Sequence, residues 1–131
     1  MEYLKFKAVA KRNPRAPEEA AKFYASAIHT RKVGVKELAF EISERCTLRE
    51  SDVQGVLIAL MQILPKEICK GNIVSLGELG SFYVNISSEG AVTSEELTVT
   101  NVKGYKVIHF PTKELKSRIR TINVSKVEEP N

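Results

Sequence analysis

Apolar and charged positions alternate at the start of the chain. Leu4, Phe6 and Ala8 fall on one side and Lys5 and Lys7 on the other, which predicts a half-buried strand over residues 3–11. Asn13-Pro-Arg-Ala-Pro17 breaks it, and Pro17-Glu-Glu-Ala20 has the proline and acids that suit a first helical turn. Lys22 to His29 fits helix or strand, with a strand over Phe23 to Ile28 preferred. From Val35 the period lengthens: Val35, Leu38, Ala39, Ile42 and Cys46 share one face opposite Lys36, Glu37, Glu41 and Glu44, which predicts an amphipathic helix. Thr47-Leu-Arg-Glu50 has the form of a capping box and opens a second helix. The stripe of that helix, Val53, Val56, Leu57, Leu60, Ile63, Leu64 and Ile68, is wide enough to meet more than one neighbour. Pro65 lacks an amide donor and crowds the Met61 carbonyl, so a kink or an end is expected near Leu64. Lys70-Gly71 supplies a basic last turn and a glycine cap.

After Gly71 the period falls to two. Ile73 to Leu76 and Ser81 to Ile86 read as strands with Gly77 and Gly80 bracketing the turn between them. Leu97 to Thr100 and Tyr105 to His109 read as further extended runs, Pro111 to Ile119 as a short helix, and Thr121 to Val127 as a last strand. Strands, two helices, strands, a short helix and a strand make an α+β plan with antiparallel pairing, not an alternating βαβ chain.

A length of 131 residues, 43% apolar and 27% charged, fits one globular domain able to bury about two-thirds of its unfolded surface. The start of the chain lacks the plan of a secretory signal and no apolar run is long enough to cross a membrane, so a cytoplasmic protein is expected. Cys46 and Cys69 are too few for a disulfide framework and read as small core residues. Charge is the informative quantity. Residues 1–36 hold nine Lys and Arg against three acids, residues 37–102 four against ten, and residues 103–131 seven against three. Basic ends flank an acidic middle, a distribution that presents a positive face to a polyanion if the ends come together.

Catalytic chemistry finds no support. His29 and His109 stand far apart with no nucleophile motif beside either, and GxxxxGK, HExxH and GxSxG are all absent. Glu18-Glu19 and Glu95-Glu96 fail as acid/base pairs, because adjacent residues diverge on a helix and oppose on a strand. No metal site, cofactor or small-molecule substrate is expected, and the chain reads as a non-enzyme.

Two helices ending in Lys-Gly, followed by KGNIVSLGELGSFYV (residues 70–84) and then PTKELKSRI (residues 111–119), resemble the HU/IHF family of bacterial histone-like DNA-binding proteins, whose pattern is KGxxVxLxGFGxF and then PGKxLKxxI. The likeness covers residues 35–119. Residues 1–34, a β extension, and residues 120–131, a strand and tail, lie outside the basic plan and resemble the longer members of Bacteroides-type bacteria. The resemblance implies one HU/IHF-like domain over residues 1–131, an intertwined homodimer, and largely sequence-independent binding of duplex DNA by a nucleoid-associated architectural protein. Carried over position by position, it implies DNA contacts at Gly80, Ser81, Lys103, Lys106, Lys113, Lys116, Arg118 and Arg120, and a dimer core at Leu79, Phe82 and Phe110. The plain alternative for the four cations of the last helix is a solvated face.

The chain also departs from the family pattern. Glu78 replaces the first glycine of the turn, and His109 takes an aromatic position with Phe110 beside it. Residues 83–102, where the family has a basic arm tipped by a wedge proline, contain no Lys, Arg or Pro but do contain Glu89, Glu95 and Glu96. Two expectations follow. Either phosphate contacts elsewhere hold DNA, with the N-terminal basic residues Lys5, Lys7, Lys11, Arg12, Arg15, Arg31 and Lys32 as candidates to replace the arm. Or the scaffold has lost its DNA grip and serves protein–protein association.

Overall fold

The computed structural model describes residues 3–128. In chain order its elements are β1 (Leu4–Lys11), β2 (Lys22–Ile28), α1 (Val35–Ser43), α2 (Glu50–Cys69), β3 (Val74–Ser75), β4 (Ser81–Ser88), β5 (Val102–Phe110), α3 (Lys113–Arg120) and β6 (Val124–Lys126). Short 3-10 turns lie at Gly77–Leu79 and Val99–Asn101. The fold is α+β.

The chain divides into two compact units. One takes the chain up to Val33 and again from Arg118; the other is Gly34–Ser117, so the division falls inside α3. The first unit is a three-stranded sheet of order β2-β1-β6. Its β1 and β2 pair antiparallel, from Lys5 opposite Ile28 to Lys11 opposite Lys22, while β1 and β6 pair in parallel, against the expected wholly antiparallel plan. The second unit packs α1 on α2 and carries the antiparallel sheet β3-β4-β5.

Local chemistry explains where the elements depart from the sequence pattern. Pro17 opens no helical turn: the Asn13 side chain accepts from the Arg15 amide at 3.0 Å and the Asn13 carbonyl from the Ala16 amide at 3.1 Å, so consecutive tight turns link β1 to β2. The capping box at Thr47 does not form. The first helix ends at Ser43, residues 44–49 form the reversal, and α2 starts at Glu50 behind an extended Arg49, with Glu50 and Asp52 supplying acid to its first turn. Nor does Pro65 end α2, which runs on to Cys69. One hydrogen bond is lost there, and buried Ile68, 5% exposed, anchors the turn beyond it. The glycine cap forms as expected: Gly71, at φ 89°, donates to the Ile68 carbonyl and Asn72 to the Glu67 carbonyl, the two bonds of a Schellman motif. Leu97 to Thr100 is not a strand, because the Thr98 amide donates to the Asn101 side chain at 2.9 Å and winds the segment into a turn.

The core is thin. Among the described residues only Ala39, Val53 and Ile68 are buried apolar side chains, whereas Val56, Ile58, Met61 and Ile63 of α2 and Phe40 of α1 are exposed. Both cysteines are exposed as well, correcting their reading as core residues; the chain by itself has too little interior to cover them. The accessible surface is 11567 Å² for 14.6 kDa, where a compact chain of that mass exposes about 6,900 Å² and two separate compact units about 8,300 Å².

Candidate nucleic-acid interface

The site begins at the turn before β4. Residues Gly77–Leu79 wind into a 3-10 turn closed by the Gly80 amide donating to the Gly77 carbonyl at 3.1 Å and the Leu76 amide donating to the Gly80 carbonyl at 2.9 Å. Gly80 has φ 105°, and a Cβ there would stand 2.2 Å from the Phe110 carbonyl oxygen. The glycine is needed so that the end of β5 can close over the turn. Its amide is already used within the turn. The neighbouring Ser81 starts β4, half-buried, opposite Phe110.

Two side chains fasten the turn to the C-terminal end of the ribbon. His109 donates from Nε2 to the Leu79 carbonyl at 2.7 Å and stacks on Phe82 with ring centroids 4.7 Å apart. Thr112 donates its hydroxyl to the Glu78 carbonyl and accepts from the Leu115 amide at 3.2 Å, so it caps α3 and ties the start of that helix to the turn. Thus His109 holds the position facing Phe82. Phe110, one residue on, points to the opposite face, 60% exposed, with the Lys116 ammonium 5.4 Å from its ring centre. Leu79 is 56% exposed. Of the three residues assigned to a dimer core, Phe82 therefore does not share a face with Phe110.

Alternation sorts the β4–β5 ribbon into two faces. Val84 and Val107, then Ile86 and Tyr105, form an apolar face, and Tyr83 with Ile108, Asn85 with Lys106, and Ser87 with Gly104 form the other. The apolar face and the end of α2 enclose an open groove of 720 Å³ lined by Leu64, Pro65, Ile68, Val84, Ile86 and Tyr105, among others. On the polar face a hollow of 460 Å³ lies along Asn85, Ser87, Gly104 and Lys106. Lys103 is the extra residue of a bulge, since Gly104 pairs with Ser87 and Val102 with Ser88.

The last helix, α3, presents Lys113, Lys116 and Arg120 at helical spacing on one side, while Arg118 falls with Glu114 on another. Lys103, Lys106, Lys113, Lys116, Arg118 and Arg120 are all exposed, and among the described residues none of the six is in an ion pair. Beyond Ser88 and Val102 the ladder stops, and the connecting segment holds Glu89, Glu95 and Glu96 without a cation. Among the described residues no group of three His, Cys, Asp or Glu is placed to hold a metal, and no helix is long and apolar enough to cross a membrane.

The profile of HU-HIG, an HU domain fused to wHTH, Ig, or Glycine-rich motif, matches residues 2–126. The chain belongs to the HU-HIG family. No curated protein matches it in sequence. Among solved structures, a candidate bacterial DNA-binding protein from Bacteroides vulgatus superposes with TM-score 0.66 at 13% identity, over 100% of this chain and 51% of that one. The HU-HIG chain thus spans about half the length of that relative. Anabaena HU, crystallised with DNA, superposes with TM-score 0.51 at 16% identity over 68% of this chain and 99% of that one. At such identities the likeness is one of fold.

Two features of this HU-HIG chain escaped the motif comparison. Asn85 and Ser87 share the Lys106 face, a placement that alternation from Lys106 through the hairpin register reveals only once the bulge at Lys103 is known. Lys22 joins Lys5, Lys7 and Lys11 on one sheet face, which depends on the pairing of β1 with β2.

Proposed function

We propose that the protein is a non-catalytic, nucleoid-associated architectural protein that acts as a homodimer and holds duplex DNA through phosphate contacts with little reading of bases. One observation carries the reading: six exposed cations, Lys103, Lys106, Lys113, Lys116, Arg118 and Arg120, lie on the bulge, the ribbon and the last helix without acidic partners. Lys and Arg so placed neutralise phosphates and release counterions. Ser81, Asn85 and Ser87 add hydroxyl and amide groups suited to phosphate oxygens, and Gly80 sets the close turn that positions Ser81. The homodimer is supported by the excess surface and by the apolar side chains that α1 and α2 leave uncovered, an area in the range of obligate interfaces.

The test is a salt titration of duplex binding. About six phosphates neutralised per dimer gives a log–log slope near −5. Replacing Lys113 and Lys116 with Ala weakens binding equally on unrelated duplexes; a loss confined to one sequence, or a flat salt response, overturns the reading. A second reading, an HU-like scaffold devoted to protein association, is favoured by the acidic, cation-free segment at the ribbon tip. It predicts no complex with DNA even at low salt.

A further inference from the structure

The three strands of the first unit hold five lysines and no Asp or Glu. Register distributes them unevenly. Lys5, Lys7 and Lys11 alternate on one face of β1, and Lys22 stands directly opposite Lys11 on that face, with Tyr24 opposite Val9, Ser26 opposite Lys7 and Ser125 beside Lys5. Only Lys126 falls on the other face, beside Phe6. The four lysines are all exposed, and among the described residues none is in an ion pair.

Two ordinary explanations fail for this arrangement. Lysines guard the edges of sheets against association, but β1 is the central strand, so three of the four have no edge to protect. A merely solvated face mixes signs, and like charges directly opposite each other, as at Lys11 and Lys22, destabilise a strand pair. Glu19 lines the shallow hollow between Lys11 and Lys22 and offsets one charge there, leaving Lys5 and Lys7 unopposed. The row from Lys5 to Lys11 runs about 20 Å, with Lys5 and Lys7 about 7 Å apart. A flat, extended row of ammonium groups suits a regular polyanion. It suits a protein partner poorly, because Lys is depleted from the centres of protein interfaces while it is an ordinary neutraliser of phosphate.

We propose that this lysine face of the N-terminal sheet is a second binding surface for the phosphate backbone of duplex DNA, separate from α3 and the β4–β5 ribbon. It takes its partner from the DNA-binding reading above and adds a contact surface that the HU-like motifs do not include. The decisive experiment measures salt dependence of binding to one mixed-sequence duplex for the full chain, for Lys5→Gln/Lys7→Gln/Lys11→Gln/Lys22→Gln, and for Lys113→Ala/Lys116→Ala. Removing four phosphate contacts lowers the slope by about 3.6 per chain, while the matching Lys→Arg quadruple variant keeps the parent slope. A glutamine variant with the parent slope and affinity overturns this proposal and leaves DNA binding by the other surface intact. No binding by the parent chain at low salt overturns both. The glutamine variant removes like-charge repulsion and is expected to melt no lower than the parent. Should it fail to fold, Lys7→Glu alone reads the same quantity, with a slope reduced by at least about one if the face binds and unchanged if it does not.

Discussion

Gly80 shows how one residue without a side chain determines a junction. At φ 105°, with the Phe110 carbonyl 2.2 Å from any added Cβ and Pro111 close behind, Gly80→Ala forces the turn away from the end of β5. The expected cost is about 2–4 kcal/mol, read as a lower urea midpoint with unchanged slope; an unshifted midpoint contradicts it. At the end of α2, the Asn72 side chain donates to Glu67 at 2.9 Å and Lys70 stands 3.6 Å away, and together they hold the Glu67 carboxyl below its ordinary range. A lowered carboxylate pKa contributes stability above its unfolded value and loses it as pH falls through the folded value, so the contribution fades on the acid side. Asn72→Ala is expected to move the Glu67 titration upward by carbon-detected NMR. The glycine pattern made both turns legible, but the reason for Gly80 was not: packing against Phe110 joins residues thirty apart in sequence.

Helices and strands were readable wherever a long periodic stripe spoke for itself, and misread wherever a short signal competed with its surroundings. The α2 stripe outweighed Pro65, because buried Ile68 holds the final turn. The Thr47 box lost to the chain reversal between α1 and α2. Thr112 was not singled out, although it joins two elements by capping α3 and bonding the Glu78 carbonyl. Thr112→Val leaves that carbonyl and the Leu115 amide without their partner, with an expected loss of about 1–2 kcal/mol and earlier hydrogen exchange at the start of α3. Exchange unchanged in α3 would show that the cap does not hold the helix.

The described chain exposes thousands of Å² more than a compact body of its mass, much of it apolar side chains of α1 and α2. If a second copy covers them, folding and association are one event, and the melting temperature rises with protein concentration. Ile63, 54% exposed on α2, is a direct probe: Ile63→Glu buries a charge in that interface and is expected to give an unfolded or monomeric chain by sedimentation, whereas a stable dimer contradicts the assignment. Periodicity and two glycine-centred motifs were enough to establish the α+β class, the two helices and the HU-like kinship, because those signals are local and repeat along the chain. Strand partners, the bulge at Lys103, the parallel pairing of β6 and the sorting of lysines onto one sheet face came only from the folded chain. Alternation says that two residues share a face of one strand; which residues of another strand lie beside them is set by register, and register belongs to the pair.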